Sequence, residues 1–89
     1  MAESQNIEYK ESWRDEYLKW IFGLANPQGG RIYIGKQDVG TVIGVSDAKK
    51  LMQVIPNNIQ DYLCIGTYVY DLTDNNLEYH EIVVSYCPF

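Results

Sequence analysis

Cysteine, histidine and proline are scarce in this chain, at two, one and three of 89 residues. Cys64 and Cys87 have no CxxC or Cys/His spacing around them and His80 stands alone, which argues against zinc modules and disulfide scaffolds. No apolar run approaches the roughly 18 residues of a membrane span. The opening Met1-Ala2-Glu3-Ser4-Gln5-Asn6 lacks the basic and apolar blocks of a signal peptide. These absences point to a cytoplasmic protein with no membrane partner. No GxxxxGK[ST] loop occurs, so nothing in the sequence supports ATP binding. Positive charge is short as well: seven Lys+Arg stand against twelve Asp+Glu, a net charge of −5 that opposes general attraction to phosphates. The cations are Lys10, Arg14, Lys19, Arg31, Lys36, Lys49 and Lys50, scattered apart from the last pair, and they form no basic tail.

What is present suits one folded domain. Hydrophobic residues make up 46% and charged residues 21%, close to soluble globular averages. Asn6 to Lys10 alternates, with Ile7 and Tyr9 on one face and Glu8 and Lys10 on the other, as a short strand does. Ser12 reads as a helix N-cap with Asp15 as its capping-box partner, and Trp13, Tyr17, Trp20, Ile21, Leu24 and Ala25 recur at helical steps. The helix ends near Asn26. Pro27 stops it, Gly29 and Gly30 permit positive φ, and a strand follows. Arg31–Lys36 and Thr41–Val45 flank Gln37-Asp38-Val39-Gly40 as an antiparallel hairpin with a loop of about four residues. Ser46 and Asp47 offer a second helix start, and Leu51, Met52, Ile55, Ile59, Tyr62 and Leu63 keep one face through Pro56 until Gly66. Thr67–Leu72 and Leu77–Tyr86 form a last hairpin around Thr73-Asp74-Asn75-Asn76. In its second strand Glu78 and His80 share parity with Ile82 and Val84, which calls for a bulge or for burial of both faces near the end. The order β-α-β-β-α-β-β predicts an α+β two-layer sandwich, a mixed sheet with two helices on one face.

Taken in order, Glu3-Ser4 with Ile7-Glu8-Tyr9-Lys10, Ala25-Asn26 with Gly29-Gly30, and Ile32-Tyr33-Ile34-Gly35 with Asp38, Gly40 and Gly44 resemble the Schlafen/AlbA-type DNA-binding domain. In that family they recur as an E-S-x-x-x-E-[FY]-K start, an A-N-x-x-G-G turn and an I-G-x-x-x-x-G hairpin. The resemblance implies a DNA-binding or regulatory domain, commonly N-terminal in longer proteins that resemble transcriptional regulators, some labelled divergent AAA. Family versions continue past Cys87-Pro88-Phe89, so it also implies that residues 1–89 are a single domain lacking its C-terminal strand or strands.

Two chemistries are open at this stage. For nucleic-acid binding, Lys10, Arg31 and Lys36 lie on the first strand and hairpin and are expected to form a small basic patch; the alternative is that they are ordinary surface residues, with Lys36 guarding an edge strand against aggregation. Tyr68, Tyr70, Tyr79 and Tyr86 could stack bases or serve as β-formers. Asn26, Gly29, Gly30 and Gly35 read as structural turn residues, and His80 as structural too. For catalysis, vertebrate Schlafen relatives cleave transfer and ribosomal RNA with a carboxylate triad, and the resemblance carries that triad onto Glu3, Glu8 and Asp38. Gln37 stands where many relatives have the third acid. Such a set would hold Mg²⁺ or Mn²⁺; as a binding module the domain needs no cofactor. A third reading is a protein-interaction module or homodimer, built on unpaired sheet edges.

Overall fold

Ile32 and Ile34, two residues apart on one strand, are fully buried, and the rest of the chain is arranged around them. A computed structural model describes residues 6–24, 29–60 and 66–85. Along the chain come β1 (Ile7–Lys10), a 3-10 turn at Asp15–Tyr17, α1 (Leu18–Leu24), β2 (Gly30–Ile34), α2 (Ala48–Gln60), β3 (Gly66–Asp74) and β4 (Leu77–Ser85). The sheet has the order β1-β2-β4-β3. β1 runs parallel to β2, while β4 is antiparallel to both β2 and β3, so the sheet is mixed as expected. A parallel neighbour requires a crossover, and α1 supplies it.

Side chains alternate across a pleated sheet, so the buried set identifies the covered face. Ile32 and Ile34 of β2 and Ile82 and Val84 of β4 pack with Ile21 of α1 and Ile55 and Ile59 of α2. Both helices therefore cover the same side, which is the two-layer α+β architecture. Each fully buried isoleucine contributes about 1.5–3 kcal/mol through burial. α2 keeps one face through Pro56, with Ile55 and Ile59 buried on either side of it. Among the described residues no helix is long and apolar enough to cross a membrane.

Several local expectations change. Ser12 does not cap α1: the position before the 3-10 turn is Arg14, extended at φ −136° and ψ 140°, with no side-chain cap. Asp15 is occupied elsewhere, accepting hydrogen bonds from Trp13 Nε1 at 2.9 Å and from Asn58 Nδ2 at 3.2 Å, the latter tying α1's approach to α2. The strand expected at 41–45 shrinks to a single bridge, Lys36 with Val42. Positive φ at Gly35, Gly40 and Gly44 breaks the extended run, and the returning chain folds over Gly35, whose carbonyl accepts from the Ile43 and Gly44 amides. The turn itself is as expected, with the Gln37 amide bonded to the Thr41 carbonyl. Gly66 opens β3, and the expected end of α2 just before it lies outside the described residues. The last hairpin turns on Asn75-Asn76 alone, both at positive φ, which a two-residue loop matched to strand twist requires.

β4 carries no bulge: its nine pairs with β3 run without interruption. Glu78 and His80 keep the parity of Ile82 and Val84, and His80 is wholly buried. The pattern keeps one parity throughout: His80, Ile82 and Val84 are buried and Glu78 is exposed near the strand's start, while Glu81 and Val83 on the other side are only half-buried. Neither His80 ring nitrogen has a hydrogen-bond partner; Nδ1 lies 3.5 Å from Asp71 Oδ1.

Gly35 offers a sharp test, because its φ is +101° and a Cβ there would stand 3.0 Å from Tyr79 Cβ and 3.2 Å from Val45 Cγ1. Gly35→Ala combines strain with overlap and should cost roughly 2–4 kcal/mol in urea denaturation. A loss below about 0.5 kcal/mol would show that the 35–45 segment repacks freely.

Candidate nucleic-acid interface

Burying Ile32 and Ile34 turns their neighbours Arg31 and Tyr33 to the uncovered side of the sheet. Register carries the rest. Tyr9 pairs with Tyr33, Tyr33 with Glu81, Tyr70 with Glu81, Tyr68 with Val83 and Leu72 with Tyr79, so these residues share that face. A row of rings crosses three strands, with centroids 5.7 Å apart for Tyr9–Tyr33 and 6.5 Å for Tyr33–Tyr79. Lys36 reaches back over the row. Its Nζ lies 4.0 Å from the Tyr33 centroid, 4.9 Å from Tyr79 and 5.7 Å from Tyr9, a cation–π arrangement that holds the ammonium on the face. On β3, Tyr68 and Tyr70 are 60% and 47% exposed, so their rings are open to a ligand.

Glu81 organises the charge at the centre of this surface. Its Oε2 accepts from the Tyr33 hydroxyl at 2.7 Å and lies 3.6 Å from Arg31 Nη1. Burial pushes the Tyr33 phenol above its ordinary range, and the hydrogen bond to Glu81 adds to the rise. The Tyr33 hydroxyl and the Glu81 carboxylate together hold the Arg31 guanidinium more firmly protonated than usual. Arg31's side chain remains 55% exposed, so the ion pair is worth little stability and leaves the guanidinium available.

The three expected basic residues do not lie on one side. Arg31 and Lys36 share the tyrosine face. Lys10 pairs with Ile34 and falls on the helix side, its Nζ 4.8 Å from the Trp20 ring, 5.3 Å from the Tyr17 ring and 3.9 Å from Glu8 Oε2. Its carbonyl still touches the hairpin, accepting from the Gly35 and Lys36 amides, so the backbones are adjacent while the side chains part.

Of the carboxylates, Glu8 is half-buried beside Lys10, Asp38 is exposed in the 37–40 turn, and Glu3 lies outside the described residues. Among the described residues no group of three or more His, Cys, Asp or Glu is placed to hold a metal ion. Asn26 also lies outside them; Gly29 takes φ +69° and Gly30 begins β2. A groove of about 660 Å³ is lined by Glu11, Asp47 and Glu78 with Trp13, Leu51 and Leu77, and among the described residues no lysine or arginine lines it. That groove repels phosphate.

Sequence reasoning missed Tyr9, Tyr33 and Glu81. The alternation Arg31-Ile32-Tyr33-Ile34 was the available signal, but placing Tyr9 and Glu81 beside Tyr33 needs the register of strands distant in the chain.

A mixed four-stranded sheet with two helices on one side and a cation-bearing tyrosine row on the other defines a small two-layer α+β domain. The chain belongs to the Schlafen, AlbA_2 family, whose model matches residues 3–88. That membership suggests a nucleic-acid-binding domain. No curated protein and no solved structure matches the chain significantly.

Tyr33 gives a pH test. Its raised value means that the folded state holds the phenolic proton more tightly than the unfolded chain does. The stability contributed is complete below the ordinary tyrosine value of about 10 and is lost as pH rises through the folded-state value. Tyr33→Phe should therefore melt below wild type at pH 7, and the gap should shrink above about pH 10. A gap constant across that range would remove the Tyr33–Glu81 bond as its cause.

Proposed function

We propose that this domain binds nucleic acid, with DNA as its partner, and serves as the binding module of a transcriptional-regulator-like protein. The observation that carries the reading is the segregation of charge. Arg31 and Lys36 stand on one open, tyrosine-lined face. The acids are largely elsewhere: Glu8, Asp71 and Glu78 take the helix-side parity, Glu11 and Asp47 line the groove, and Asp15 and Glu16 sit at the start of the first helical segment. Two described acids take the parity of the face: Asp74 at its hairpin end, and Glu81 at its centre, which is already engaged by Tyr33 and Arg31. A phosphate approaching this side meets two cations locally, despite the net charge of −5. Family membership supports the same partner.

Fluorescence anisotropy with labelled DNA across a salt series tests the reading. Two phosphate contacts give a log–log salt slope of roughly −1.4 to −1.8. Arg31→Ala with Lys36→Ala should weaken binding and flatten that slope. Lys10→Ala, on the other side of the sheet, should change neither. Absent or salt-insensitive binding sinks the proposal.

A further inference from the structure

We infer that the tyrosine face takes an unpaired DNA strand, with bases stacked on Tyr68 and Tyr70 and phosphates on Arg31 and Lys36. This rests on the nucleic-acid reading above and narrows it to single strands. Three observations favour that occupant over a duplex.

The rings are presented in the wrong way for a double helix. Tyr68 and Tyr70 are two residues apart on one strand, hence roughly 6.8 Å apart on the same face. Stacked bases lie about 3.4 Å apart along a strand. Rings at twice that interval suit bases pulled out of the stack, each meeting its own tyrosine. A duplex hides its base faces and offers only edges and phosphates, so exposed aromatic rings add binding energy only when the strand is open.

The charge on the face is too small for phosphate-driven duplex binding. Arg31 and Lys36 are its described cations, and Glu81 offsets part of their field. Counter-ion release scales with the number of phosphates neutralised. Two contacts on a chain of net charge −5 leave most of the affinity to be supplied by something other than charge, and stacking is the contribution that this face can make.

The face also divides the two tasks between its halves. The Tyr9–Tyr33–Tyr79 row lies beneath Lys36 Nζ, whereas Tyr68 and Tyr70 stand open on β3. A strand laid across the sheet meets the ammonium and guanidinium toward β2 and free rings toward β3. Bases then lie over the edge strand and the backbone over the centre.

The test compares one fluorescent single-stranded DNA 12-mer with its duplex, using the full 89-residue chain. Single-stranded DNA should bind on the order of ten-fold tighter or more. Tyr68→Ala with Tyr70→Ala should weaken single-strand binding by roughly ten-fold or more, while Tyr68→Phe with Tyr70→Phe, which keeps the rings, stays near wild type. Both positions are exposed, so thermal melts of the variants should overlay the wild type and separate loss of stacking from loss of fold. Duplex binding as tight as single-strand binding, or a Tyr→Ala pair that binds like wild type, overturns the single-strand assignment and leaves the broader reading standing. No binding of either DNA overturns both.

Discussion

The burial of Ile32 and Ile34 against Ile21, Ile55 and Ile82 decides which way β2 faces, and through it the direction of every side chain on the open surface. A strand has a period of two, so sealing the isoleucines under the helices leaves Arg31 and Tyr33 no direction but outward. Neighbouring strands then inherit the choice through their pairing, which brings Tyr9 from one side and Glu81 from the other to Tyr33. A one-residue slip would turn Tyr33 into the core and expose the isoleucines, at a loss of several kcal/mol. Hydrophobic burial on one side is thus what holds the polar arrangement on the other.

Lys36 belongs to that arrangement only because of the backbone between it and β2. Gly35 leaves the strand at a positive φ that other residues rarely adopt, and its amide bonds the Lys10 carbonyl at 2.7 Å. The chain then turns at 37–40 and returns so that Gly35's carbonyl receives two amides and Val45's amide reaches Glu78. Little regular strand survives in the returning half, yet its hydrogen bonds fix where Lys36 departs. The ammonium is set over three rings by a glycine turn, and attraction to those rings helps to hold it there.

Much of the fold was legible. The Trp13–Leu24 periodicity gave α1, the Leu51–Ile59 face gave α2 despite Pro56, and the turn formers at 73–76 gave the last hairpin. Elements whose residues answer to local rules were read well. The failures came where a distant group intervened: Asp15 was claimed by Trp13 and Asn58 before it could serve Ser12, and the 41–45 strand lost its extended run to glycines folded over β2's end. Lys10 is the most instructive residue. Its chain neighbours place it beside the hairpin, but parity sends its side chain to Trp20 and Tyr17.

The candidate site follows the same division. Arg31, Lys36 and the β3 tyrosines were nameable from residue type and strand parity, and the glycine turn was visible as a turn. Their membership of one face, the exclusion of Lys10 from it, and the role of Glu81 came only from the tertiary structure. Alternation along a strand is written in consecutive residues and needs no partner to be read. Which of the two faces is covered, and which strand lies beside which, depends on long-range pairing and on the helices that claim the isoleucines. The order and kind of most elements were therefore local properties of this chain, while the face that meets a ligand was decided by packing.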